Sequence, residues 1–182
     1  MIKRFKSLGQ YLLSFASFYR IIGTIKQAVS IVTELNDALT EMRKVSSESL
    51  STLEKFQFKS FDLADQVGTN AVAVQKSTAA WLRLGKDFDE AQQAAVDSAK
   101  LLNTTEIENI DDATSSLLSI TQAYRNITRE DAIDKINNIG DHFSSSSADL
   151  AQGLKNVSAV LKTQGNDIDQ ALALLTAGND IT

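Results

Sequence analysis

No proline occurs anywhere in the 182 residues, although an average chain would carry roughly 5%. Proline removes a backbone donor and clashes with the preceding helical turn, so its absence lets helices run without a forced break. The apolar positions at the start of the chain use that freedom. Leu8, Leu12, Phe15, Tyr19, Ile22, Ile25, Val29, Val32, Leu35, Leu39 and Met42 follow one another at steps of three or four residues, with a mean of 3.4. That is close to the heptad period of about 3.5 residues.

The spacing predicts one amphipathic, coiled-coil-like helix over residues 1–45. A helix of ~40 residues is about 60 Å long at ~1.5 Å per residue, which outreaches a compact domain of this size. The excess seam then needs cover from a partner helix or from copies of the same chain. The expected self-association seam is Leu12, Phe15, Tyr19, Ile22, Ile25, Val29, Val32, Leu35 and Leu39. Gly9 and Gly23 interrupt the pattern, each at about 1 kcal/mol relative to alanine. Two core helices broken near Gly23 are the competing reading. The aromatic cluster Phe15, Phe18 and Tyr19 widens the apolar face beyond a narrow two-stranded seam.

From residue 46 to 182 the chain reads as short helices with clear punctuation, so the expected fold is all-α: a long first helix followed by a bundle of short antiparallel helices. Ser47–Ser49 opens a helix through Leu50, Leu53, Phe56, Phe61, Leu63 and Ala64, and Gly68 closes it as a left-handed cap. Thr69 or Asn70 caps the next, which carries Trp81. Asp87 starts another, with Ala91, Ala94, Ala95, Ala99 and Leu102 on its apolar face. Asn109 or Asp111 starts a fourth. Thr128 and Asp131 have capping-box spacing, with Gly140 near the end of that helix. Ser146 or Ser147, and then Asp167, open the last two. No stretch alternates with period two, so strands are not expected. One pattern occurs twice: Gly85-Lys86-Asp87-Phe88-Asp89-Glu90-Ala91 and Gly165-Asn166-Asp167-Ile168-Asp169-Gln170-Ala171. Two readings remain for it, a duplicated helix pair or two independently good turns.

The residue inventory limits the chemistry. There is no cysteine and a single histidine, His142, which removes disulfides, thiolate nucleophiles, and Cys- or multi-His-type metal sites. Asp87/Asp89, Asp111-Asp112 and Asp167/Asp169 fall at helix starts, where carboxylates complement the helix dipole. No second base stands near them in sequence to make an acid–base pair. The His142-Asp141 pair reads as a helix end, and Ser144–Ser147 as a loop and cap. No catalytic residue, cofactor or metal is expected, and the chain is not read as an enzyme.

Charge is divided unevenly. Residues 1–44 carry seven Lys/Arg against three acids, and the rest carries eleven against twenty. The acidic body makes specific nucleic-acid binding unexpected, since phosphate would be repelled. The basic, apolar start imitates a signal peptide, but Gln10, Arg20 and several serines interrupt it, and it falls short of the ~20 apolar residues that a span needs. A membrane-surface helical adaptor or signalling module is the alternative function, resting on that same start.

Four stretches carry a family resemblance: Glu34–Ser46 (ELNDALTEMRKVS), Phe58–Gly85 (FKSFDLADQVGTNAVAVQKSTAAWLRLG), Leu101–Tyr124 (LLNTTEIENIDDATSSLLSITQAY) and Asp149–Asn179 (DLAQGLKNVSAVLKTQGNDIDQALALLTAGN). In this order they resemble the core of phage tail tape measure proteins of siphovirus-like tails and prophages, over residues 22–182. The resemblance implies an all-helical structural protein of the virion tail, made in the host bacterial cytoplasm. It also implies a part in tail assembly and tail-length determination. Its expected partners are copies of itself and tail-tube or tail-tip proteins. Full-length members of that family are several times longer, so residues 46–182 are expected to be a truncated tape-measure core.

Overall fold

The computed structural model describes residues 29–142 and 145–179. Those residues form eight helices and no strand. They are α1 (29–45), α2 (Leu50–Val67), α3 (Ala71–Arg83), α4 (Phe88–Thr104), α5 (Ile110–Ala123), α6 (Arg129–His142), α7 (Ser147–Thr163) and α8 (Ile168–Asn179). The all-α expectation therefore holds for the described residues. The first 28 residues of the predicted long helix lie outside them.

Each helix start has a local cause. A side-chain oxygen of Ser49, Asn70, Asp87, Asn109 and Ser146 accepts the backbone N–H three residues on, which satisfies one of the orphan donors of the first turn. Where sequence spacing leaves two caps open, Asn70, Asn109 and Ser146 take the position. Thr128 and Asp131 close a reciprocal capping box, the Asp131 N–H donating to Thr128 Oγ1 at 3.0 Å and the Thr128 N–H to Asp131 Oδ2 at 3.2 Å. Asp167 and Gln170 form a second such box at 2.9 and 3.0 Å. Gly68 ends α2 at φ +67°, a conformation that glycine adopts without a Cβ penalty.

The compact unit begins at Ala38. It takes in the last two turns of α1, because Ala38 and Met42 are buried in its core and Leu39 and Val45 pack against it. The same core holds Leu53, Phe56, Trp81, Leu101, Leu117, Ile120, Ile136, Leu150, Leu154 and Leu172. Helix α4 enters it with Ala91, Ala94 and Ala95 fully buried. Short side chains there let neighbouring helices approach closely. The α2 stripe departs from the expected one. Leu53, Phe56, Ser60 and Ala64 are buried, a spacing of three, four and four that keeps one face. Phe61 falls off that face and is 46% exposed. Ser60 is buried in its stead because its hydroxyl donates to the Gln57 carbonyl at 2.7 Å and accepts from Gln75 Nε2 at 2.7 Å, so the buried polar group is satisfied.

The repeated heptapeptide folds the same way twice. Gly85 and Gly165 have φ of +78° and +92°. Their N–H groups donate to Leu82 and Lys162 carbonyls at 2.9 and 3.0 Å. Asp87 and Asp167 then cap α4 and α8 through the Glu90 and Gln170 N–H groups. Ala91 and Ala171 are both fully buried. The likeness extends up the preceding helices, where Val74 and Leu154, and Thr78 and Ser158, are buried at matching positions. The pairs α3–α4 and α7–α8 are thus equivalent units, which favours the duplicated-pair reading.

Candidate interaction surface

Two surfaces stand out in the described residues, one charged and one apolar. The charged one is a cleft of about 790 Å³ lined by the ends of α3 and α5, by α4 and by the start of α6. Arg129 organises it. Its Nε donates to Asp97 Oδ2 at 2.8 Å, Nη1 lies 3.6 Å from Glu90, and the guanidinium sits 5.6 Å from the Trp81 ring centroid. Trp81 is itself buried, and its Nε1 donates to Ser98 Oγ at 3.1 Å. Lys86 closes on Glu90 at 2.6 Å and Lys100 on Asp97 at 3.4 Å. A guanidinium over an indole face is attracted by the ring quadrupole, and more so when partly desolvated. The arrangement holds the first turn of α6 against α3 and α4.

Several polar groups that line this cleft have partners within the protein. Thr121 Oγ1 donates back to the Leu117 carbonyl at 2.8 Å, and Thr128 Oγ1 serves the cap of α6. The carboxylates that sequence spacing places at helix starts have structural tasks. Asp87 and Asp167 cap helices. Asp112 accepts from Asn109 Nδ2 at 2.8 Å and from Lys155 Nζ at 3.2 Å. The Asn109 amide first, and then Lys155, hold the Asp112 carboxyl below its ordinary range. The Thr128 hydroxyl and N–H do the same for Asp131. His142 ends α6, exposed, with Nδ1 2.7 Å from the Asn138 carbonyl oxygen. Among the described residues no group of three or more His, Cys, Asp or Glu side chains is placed to hold a metal ion. Nor is any described helix long and apolar enough to cross a membrane.

The apolar surface is the first described part of α1. Of the expected seam, Leu12, Phe15, Tyr19, Ile22 and Ile25 lie outside the described residues. Val29 and Val32 are 60% and 65% exposed, joined by Ile31 at 51%. Leu35 is half-buried, and Leu39 packs against the core of the compact unit. The seam therefore changes character along its length, from exposed valines to side chains that anchor the helix. Helical periodicity marks Trp81 as core but does not reveal Arg129 as its partner. The only signal is charge, since Arg129 and Asp97 stand on different helices.

No solved structure matches the chain. Residues 57–182, from within α2 to the last residue, match the family described as phage-related minor tail protein. That match covers more than half of the sequence, so the chain belongs to the phage-related minor tail protein family.

Proposed function

We propose that the chain is a non-catalytic structural segment of a tape measure. In this reading it assembles with copies of itself through the first helix and docks on tail-tube or tail-tip proteins, and its helical length contributes to setting the length of the tail. Membership of a tail-protein family supports the structural role. The observation that carries the self-association is the exposed run Val29, Ile31 and Val32 on a helix whose next turns are anchored in a core. Adjacent apolar side chains left in water favour a partner surface.

Light scattering of the full chain over a range of concentrations tests this. The expected mass exceeds that of a monomer and rises with concentration. Val32→Asp should return it to a monomer with unchanged helicity, because Val32 contributes little to the core. A wild-type mass that stays monomeric, or a Val32→Asp mass equal to the wild type, overturns the self-association. The length-setting role has a separate test. An in-frame helical insertion in the phage gene should lengthen the tail by about 1.5 Å per residue, and an unchanged tail length in electron micrographs overturns it.

A further inference from the structure

The equivalence of α3–α4 and α7–α8 has one conspicuous exception. Positions facing the unit's own core are buried in both pairs, as with Val74 and Leu154 or Ala91 and Ala171. Other positions are buried in the first pair and not in the second. Ala94 is fully buried, and Leu174, eighty residues on, is 54% exposed. Ser77 is buried and Val157 only half so. Val160, on the same side of α7, is 58% exposed.

The first pair shows what covers this face. Helix α5 packs on both α3 and α4. The Thr114 and Ser77 hydroxyls meet there at 2.8 Å, and Ile110 sits with Ala73 and Ala99 in an apolar cluster edged by Val67 and Leu102. Among the described residues no helix takes the corresponding place on α7–α8.

Helix α1 is the counterpart of α5. Each precedes three helices of the same order. Each ends on the same bond, Ser46 N–H to the Met42 carbonyl at 2.9 Å and Tyr124 N–H to the Ile120 carbonyl at 2.8 Å. Met42 and Ile120 are both fully buried. Ten residues before Ile120 stands Ile110, 8% exposed on the α3–α4 pair. Ten residues before Met42 stands Val32, 65% exposed. Among the described residues there is thus an α5-like helix with no pair under it and an α3–α4-like pair with no helix on it. Two such faces on one chain satisfy each other between copies, in a heterologous contact.

We infer that the chain self-associates head to tail: α1 of one copy, through Val32 and Val29, occupies the α7–α8 face of the next, around Val160 and Leu174, as α5 occupies α3–α4 within a copy. This rests on the self-association proposed above and adds its geometry. Because the two faces differ, every copy keeps one of each, and the assembly grows until a ring closes or a filament runs on.

The test mixes two full-length variants, each spoiled on one face: Val32→Asp and Leu174→Asp. Both substituted side chains are exposed, and circular dichroism should report unchanged helicity for each. The expected result is that each variant alone is monomeric by light scattering, and that an equimolar mixture forms a 1:1 dimer and nothing larger, joined by the intact α1 of one and the intact α7–α8 of the other. If Leu174→Asp assembles like the wild type while Val32→Asp is monomeric, the head-to-tail geometry is overturned and self-association through α1 stands. A mixture that remains monomeric also overturns the geometry. A wild-type chain that is monomeric throughout overturns both.

Discussion

Gly140, Gly153 and Gly178 all lie within described helices, and replacing the first two by alanine should give distinct outcomes. Alanine in a helix interior gains about 1 kcal/mol over glycine, so the neighbours decide the sign. A methyl on Gly140 would lie 2.9 Å from the Ser147 backbone nitrogen and 3.1 Å from its Cα. Backbone at the start of α7 cannot rotate out of the way, so α6 and α7 must separate. Overpacking of this kind costs roughly 1–3 kcal/mol. With the contact below any ordinary van der Waals distance the upper end applies, and the net loss comes to about 2 kcal/mol. A methyl on Gly153 would meet Leu175 Cδ2 and Cδ1 at 2.9 and 3.1 Å. Those are the ends of a half-buried, rotatable side chain, so Gly153→Ala should be neutral or stabilising by up to about 1 kcal/mol. Urea denaturation with a fixed m value reads both. The Gly140→Ala loss should also lower Tm by about 4–8 °C in a unit of this size. A Gly140→Ala protein as stable as the wild type, or less affected than Gly153→Ala, would refute the argument that backbone contact and not helix propensity decides.

Other perturbations test separate parts of the structure. Arg129→Ala leaves the Asp97 carboxylate, whose side chain is only 9% exposed, without its best partner; the expected cost is about 3 kcal/mol. Asp97→Ala in the same chain should recover part of it, and strictly additive effects in the double-mutant cycle would show that the pair is not coupled. Asp112 and Asp131 are held below the ordinary carboxylate range. Their contribution is therefore present above that range and is lost as the pH falls from about 5 toward their lowered values. Asp112→Asn with Asp131→Asn should flatten the acid limb of stability against pH, and an unaltered limb would refute their role. Burial pushes the Tyr124 phenol up; the nearby Ser158 hydroxyl offsets part of this and the Asp167 carboxylate adds to it. Neither the Tyr124 nor the Ser158 hydroxyl has a partner in hydrogen-bond geometry. Tyr124→Phe should therefore cost little, and it should abolish a loss of stability that begins as the pH rises above about 10; a large loss at neutral pH would point to a partner for the phenol. Asn70→Ala should cost about 1 kcal/mol, since Asn70 Oδ1 accepts the Ala73 N–H at 2.9 Å, and Thr69→Ala far less; equal effects in thermal unfolding would contradict the cap assignment.

Local bonds explain why so much of the helix pattern is legible in the amino-acid order. A cap joins residues three apart, a left-handed glycine needs no distant partner, and both signals lie within one turn of the element they end. Asp87, Thr128-Asp131 and Gly68 are therefore readable without knowing the fold. The Ser60 and Phe61 exchange is not, because Gln75 on another helix makes a buried serine acceptable. Nor are the bonds between helices: Arg129 bonds Asp97 in the charged cleft, and elsewhere Lys59 bonds Gln92 at 2.8 Å and Asn103 donates to the Val67 carbonyl, each from one helix to another that sequence spacing does not bring together.

The repeated turn marks the division most clearly. Gly85-x-Asp87 and Gly165-x-Asp167 specify the same backbone twice, because glycine alone enters the left-handed region without penalty and aspartate then caps the next helix. That much the amino-acid order determines by itself, along with the absence of proline and the all-helical class. Whether the helix after each turn hides or exposes a given side is not a local property. Ala94 and Leu174 stand at matching places after equivalent turns, one fully buried and the other in water. Helix α5, which comes later in the chain, packs on both helices of the first pair and on α7 but not α8 of the second. Burial depends on which surfaces meet, and the tertiary structure alone decides that.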